Sequence, residues 1–166
     1  GQGVPEDNAV AFRWYQKAAT QGDRDAQWSL GVAYAKGDGT AKDMEQAVRW
    51  YRAAAEQGHD DAQVDLGVAY EVGGGVPTDY AQAVHWYRAA AAQGHPRALA
   101  GIGVMYAKGL GVSQDLVLAY MWSSLAATRG HEGGNKNRDL AASLMTPSQI
   151  EAAQVLAREW LVAHPN

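Results

Sequence analysis

Cysteine is absent from these 166 residues, which removes disulfides, thiolate catalysis and cysteine-ligated zinc together. Phenylalanine occurs once, and charged residues make up only 19% of the chain. No apolar run approaches the roughly 18 residues that span a bilayer, and mean hydropathy is −0.34, so membrane insertion is not expected. A basic excess is missing too: Lys+Arg 14 stand against Asp+Glu 18, for a net charge of −4. Nucleic-acid binding, which rests on phosphate neutralisation, is therefore disfavoured. The opening Gly1-Gln2-Gly3-Val4-Pro5 has neither the charge nor the apolar stretch of a secretory signal. What is present is 47% hydrophobic residues, enough to exclude disorder, with 19 glycines and six tryptophans.

Those glycines and tryptophans fall on a repeat. Trp14, Trp50, Trp86 and Trp122 are spaced by 36, as are Gly22, Gly58, Gly94 and Gly130. Leu30, Leu66 and Ile102 keep the same step, followed by Gly31, Gly67, Gly103 and then by Tyr34, Tyr70, Tyr106. Glycine pairs recur as Gly1/Gly3, Gly37/Gly39, Gly73/Gly75 and Gly109/Gly111. A shared period over this many columns is the signature of a stacked array. The expected parts are a partial repeat at 1–22, full repeats at 23–58, 59–94 and 95–130, and a cap at 131–166. Gly1 enters in mid-period, so an upstream segment is expected to have been lost or cut away.

Each period reads as two helices. Ala47, Trp50, Tyr51, Ala54 and Ala55 form one apolar stripe at helical spacing. Asp43, Asp79 and Asp115 stand where an N-cap is wanted, with Gln46 and Gln82 three residues after the first two. Gly58 and its equivalents suit a left-handed C′ position, and His95-Pro96 suits a helix start. Gly31, Gly67 and Gly103 lie inside the other helix, where glycine costs about 1 kcal/mol relative to alanine. Close approach of a partner helix would explain them. Beyond residue 131 the columns break. There Asn137-Arg138-Asp139-Leu140 is read as opening one helix, and Thr146-Pro147-Ser148-Gln149 as starting another. The apolar stripe of that last helix is Ile150, Ala153, Leu156, Ala157 and Trp160. A stacked array needs such an atypical end to cover its last apolar face. Nine helices and no strand are expected.

The period, the Ala-x-x-Trp-Tyr stripe and the Gly-x-Gly-Val-Pro-x-Asp turns at Gly1–Asp7 and Gly73–Asp79 resemble the Sel-1-like repeat family. So does Leu-Gly-x-x-Tyr at Leu30–Tyr34 and Leu66–Tyr70, while Ala157-Arg158-Glu159-Trp160 looks like the tail of bacterial members. Thr40-Ala41 in place of Val-Pro, and Ser123 in the column of Tyr15, Tyr51 and Tyr87, depart from the pattern. The resemblance implies an all-α fold, a right-handed α/α solenoid of tetratricopeptide type with a C-terminal capping helix pair. It implies a scaffold for other proteins, with no cofactor and no shared partner, in the bacterial periplasm in preference to the cytoplasm. A monomer is expected.

Catalytic signatures are missing. No Gly-x-Ser-x-Gly, Ser-x-x-Lys or Walker-type Gly-Lys-Ser/Thr occurs. His59, His95 and His131 recur one per repeat at the same turn, too far apart in a stack to share a metal ligated at about 2 Å. They are read as helix-start residues, the tryptophans of the repeat as core, and Arg138 with Asp139 as a structural pair.

The first helix of each pair is then the candidate binding face. Removing Ala26, Leu30, Gly31, Tyr34 and their equivalents as core leaves Trp28, Val32 and Lys36, then Val64, Val68, Glu71 and Val72, then Arg97, Val104 and Lys108. Trp28 belongs to no repeat column, so it is expected to face solvent and anchor a partner protein or peptide. Two other roles compete with a scaffold. One is an inhibitor of the immunity type that neutralises a partner enzyme. The other is a hydrolase of cell-wall or β-lactam substrates, an activity attributed to some cysteine-rich relatives and weakened here by the missing cysteines.

Overall fold

The structure, a computed structural model, describes residues 4–165. The Gly1/Gly3 turn lies outside the described residues. Among them nine α-helices occur and no strand. The chain divides into two compact units, Gly1–Asp79 and Tyr80–Asn166.

The first unit contains α1 (Val4–Ala19), α2 (Arg24–Lys36), α3 (Met44–Glu56) and α4 (Asp60–Val72). Its local signals are those the repeat requires. Asp23 caps α2 by accepting the Ala26 N–H at 2.8 Å, and Asp43 caps α3 by accepting the Gln46 N–H at 3.0 Å. Each such cap is worth about 1 kcal/mol. The α2–α3 turn closes where the Asp43 N–H donates to the Tyr34 carbonyl, and the Asp79 N–H donates to the Tyr70 carbonyl in the same way. Leu30, Leu66, Ala47, Ala54 and Ala62 are fully buried.

Two glycine positions are forced by packing. A Cβ on Gly31 would fall 2.6 Å from Cδ1 of Tyr51, so α2 and α3 meet face to face there as expected. At Gly39 and Gly75 φ is +74° and +78°, and a Cβ would overlap the carbonyls of Asn8 and Met44. The second glycine of each Gly-x-Gly turn is thus where one repeat's loop rests on the preceding repeat's second helix. Gly111, against Tyr80, repeats this in the second unit.

That unit contains α5 (Tyr80–Ala92), α6 (Pro96–Lys108), α7 (Leu116–Thr128), α8 (Glu132–Ala142) and α9 (Pro147–Ala163). Leu99, Ile102, Met105 and Leu125 are its largest fully buried aliphatics. Asp115 caps α7 through the Leu118 N–H at 3.0 Å. Thr146 and Gln149 form the expected capping box at the start of α9, with Pro147 in the first turn. Ala153 of α9 is fully buried against Ala119, Tyr120 and Ala141, with Ile150 packed alongside, whereas Leu156 of the anticipated stripe is exposed.

Two expectations are corrected here. The helix read as opening at Asn137 begins at Glu132, with His131 at its N-cap. The diglycine there is no breaker, because Gly134 lets α8 press against the backbone of Ala127. The tryptophan column is not uniformly core. Trp50 is half-buried against Ala19, Ala26 and Leu30, but Trp14 is 65% exposed. Trp50 is covered by residues of α1 and α2, and Trp122 packs edge-on against Trp160 of α9 at 5.9 Å. The Lys17 ammonium lies 5.7 Å over the Trp14 ring.

Candidate functional site

In the first unit, α2 and α4 carry seven of the candidate side chains. Trp28 is not free-standing. It is half-buried, its indole N–H donates to Asp65 Oδ2 at 3.0 Å, and its ring stacks on His59 at 5.1 Å. Its column explains why: Val64, one period on, is 1% exposed and Ala100 is buried as well. This column faces the neighbouring first helix, which removing only the stripe toward the second helix leaves uncounted. Val64 is therefore core, not binding face. Trp28 retains an edge on a hollow of about 280 Å³ shared with Phe12, Tyr15, Val32 and Asp38. Val32, Val68 and Glu71 are half-buried, Lys36 is exposed, and Val72 is 68% exposed.

His59 is held in place by what it does locally. Its Nδ1 accepts the Ala62 N–H at 3.3 Å, and its Nε2 lies 3.7 Å from Asp25 Oδ1. Ligand atoms of His59, Asp60 and Asp61 lie within 4.8 Å of one another, the one such cluster among the described residues. Asp60 accepts the Asp61 N–H and His59 caps α4, so the cluster is occupied with starting that helix. His95 and His131 hold the same N-cap position without a side-chain cap bond.

In the second unit, Arg97 and Lys108 are exposed and Val104 is half-buried on α6. Two further residues join them that sequence reasoning passes over. Leu140 and Leu144, on α8 and just after it, are 65% and 68% exposed. They stand one period after Val104 and Lys108, a signal hidden while the repeat is read as ending before residue 131. Between α6, α7 and α8 lies an apolar hollow of about 240 Å³, lined among others by Gly103, Val104, Lys108, Ser123, Leu140 and Leu144. Arg138 and Asp139, as expected, pair with each other at 2.7 Å.

Charge is unevenly shared. Helices α2 and α4 hold Asp25, Asp60, Asp61, Asp65 and Glu71 against Arg24 and Lys36. Helices α6 and α8 hold Arg97, Lys108, Lys136 and Arg138 against Glu132 and Asp139.

The Sel1 repeat model matches residues 1–23, 24–59, 60–95 and 96–131. The chain belongs to the Sel1 repeat family. A Sel1 repeat protein from Oxalobacter formigenes, known from its crystal structure, is 42% identical with a TM-score of 0.74, over 76% of this chain and 50% of that one. A protective antigen present in uropathogenic Escherichia coli strains, displaying an SLR fold, is 31% identical with a TM-score of 0.71, over 92% of this chain and 41% of that one. This Sel1 repeat chain thus spans half or less of the length of these two relatives. No curated protein matches it. Sel1 repeat proteins are generally protein-interaction scaffolds and typically non-catalytic. Among the described residues, no helix is long and apolar enough to cross a membrane.

Proposed function

We propose that this Sel1 repeat chain is a non-catalytic scaffold that holds a partner protein or peptide against the first helices of its repeats. The observation that carries the reading is the set of large apolar side chains left outside the core on and beside those helices. Val72, Leu140 and Leu144 are each about two-thirds exposed, and all three stand in the columns of the candidate face. The fold gains little from them there, and in the second unit Leu140 and Leu144 line one hollow; exposed apolar residues that gather in a patch mark interaction surfaces. Lys108 lines the same hollow as Leu140 and Leu144, and Lys36 and Arg97 are exposed on their own first helices; such hydrated charge is suited to setting association rate more than affinity.

Photo-crosslinking side chains placed at Val72, Lys108 and Leu144 test this against controls at the exposed Arg49 and His85 of second helices. The expected result is a discrete crosslinked species from the first set that is absent from the controls. Equal crosslinking from both sets would overturn the assignment of the face. Turnover of a β-lactam or of peptidoglycan by the purified chain would overturn the non-catalytic reading.

A further inference from the structure

Asp38-Gly39 is the one place in the chain where an aspartate or asparagine is followed by glycine. The turn does not call for that aspartate, because its column holds Gly74 and Leu110 in the next two repeats. Asp38 is exposed, and among the described residues its carboxyl enters no hydrogen bond or ion pair. The carboxyls of Asp23, Asp43 and Asp115 are by contrast held in helix caps. The Asp38 N–H is fixed to the Ala33 carbonyl at 2.9 Å, whereas the Gly39 N–H, among the described residues, donates to no backbone carbonyl. A free carboxyl therefore stands next to an uncommitted main-chain nitrogen. Glycine brings no Cβ to crowd the approach of that nitrogen to Cγ. Every other aspartate precedes a residue with a side chain.

We infer that Asp38-Gly39 is a modification site, at which the folded chain converts aspartate to isoaspartate through a cyclic succinimide. The Gly39 nitrogen attacks Cγ of the protonated Asp38 carboxyl; a C–N bond forms and a C–O bond breaks. The departing hydroxyl takes up the N–H proton and leaves as water, giving a neutral five-membered imide. Solvent water then adds to one of the two imide carbonyls. Opening at Cγ restores aspartate. Opening at the former main-chain carbonyl breaks its bond to the Gly39 nitrogen and leaves Gly39 joined through Cγ. The main chain is then longer by one C–C bond, about 1.5 Å, with a carboxylate kept on Cα. The fold has little slack for that length. The Asp38 N–H to Ala33 and the Asp43 N–H to the Tyr34 carbonyl, each at 2.9 Å, pin both ends of the segment. Between them Gly39 lies so close to α1 that an added Cβ would overlap the Asn8 carbonyl and stand 3.0 Å from Cα of Ala9. Lengthening the segment lifts Gly39 from α1 and loosens the contact between loop and helix. Asp38 also borders the hollow shared by Trp28 and Val32, so the candidate face changes with it.

The test is to hold the whole 166-residue chain folded at neutral pH and body temperature for several weeks, then to digest it with trypsin. Cleavage after Lys36 and Lys42 releases the peptide Gly37–Lys42. Its aspartyl and isoaspartyl forms are equal in mass and separate by reversed-phase chromatography. A protein isoaspartyl methyltransferase, moving a methyl group from S-adenosylmethionine to the new carboxylate, identifies the second form. Conversion at Asp38 is expected to be at least about 10-fold faster than at any other aspartate. Asp38→Glu, whose ring would be six-membered, should abolish it at unchanged Tm, and Asp38→Gly, which copies the turn at Gly74, is a second such control. The aged parent should gain an unfolding transition lower by about 3 °C or more, which the aged variants lack. Isoaspartate spread evenly over the aspartates, or formed at Asp38 only once urea has unfolded the chain, would overturn the site. Isoaspartate at Asp38 without the lower transition would overturn its effect on the loop.

Discussion

Gly31→Ala sets two forces against each other on one helix. In an isolated helix alanine is favoured over glycine by about 1 kcal/mol, so local propensity alone predicts a more stable protein. The structure predicts the opposite. The new methyl would lie 2.6 and 2.7 Å from two ring carbons of Tyr51 and 3.2 Å from the Ala47 carbonyl oxygen. Carbon atoms sit comfortably at about 3.5–4.0 Å, so the ring or α3 must retreat by roughly 1 Å. Tyr51 is only 6% exposed, so its ring is held among packed neighbours. Overpacking of this kind costs about 1–3 kcal/mol, and two ring atoms in overlap put it near the upper end. After the propensity gain, a net loss of about 2 kcal/mol is expected, read by urea denaturation as a lower midpoint at unchanged slope. In a Tyr51→Ala background the obstacle is gone, and the same change should become neutral or mildly stabilising. A Gly31→Ala single variant as stable as the parent would refute the claim that the ring sets the α2–α3 distance.

Gly75→Ala should be more damaging, by about 3 kcal/mol or more, because φ is +78° and the methyl would overlap the Met44 carbonyl; a drop in Tm of under about 2 °C would contradict the loop contact. Trp28→Phe should lower unfolding free energy by about 1–2 kcal/mol through loss of the 3.0 Å bond to Asp65, where the repeat columns alone suggest little change. Denaturation with and without Asp65→Ala, which removes the acceptor, isolates that bond, and additive effects of the two changes would count against it.

The 36-residue step, read from residues alone, determined the helices, their turns and their caps. That is because a cap or a left-handed glycine is a property of a few consecutive residues: Asp43, Gly58 and Thr146 act where they stand. The start of α8 was less legible, since Gly133-Gly134 reads locally as a breaker and becomes a packing site only when Ala127 is opposite. The face was harder still. A first helix meets both its own partner and the neighbouring first helix, so a single stripe wrongly leaves Val64 and Trp28 to solvent. Leu140 and Leu144 lie in register with the repeat, yet their exposure depends on what α8 leaves uncovered. The hollow beside Ser123 belongs wholly to tertiary structure. A serine in a tyrosine column is a plain fact of sequence, but only the packing of α6 on α7 closes the helices over it and leaves Ser123 1% exposed.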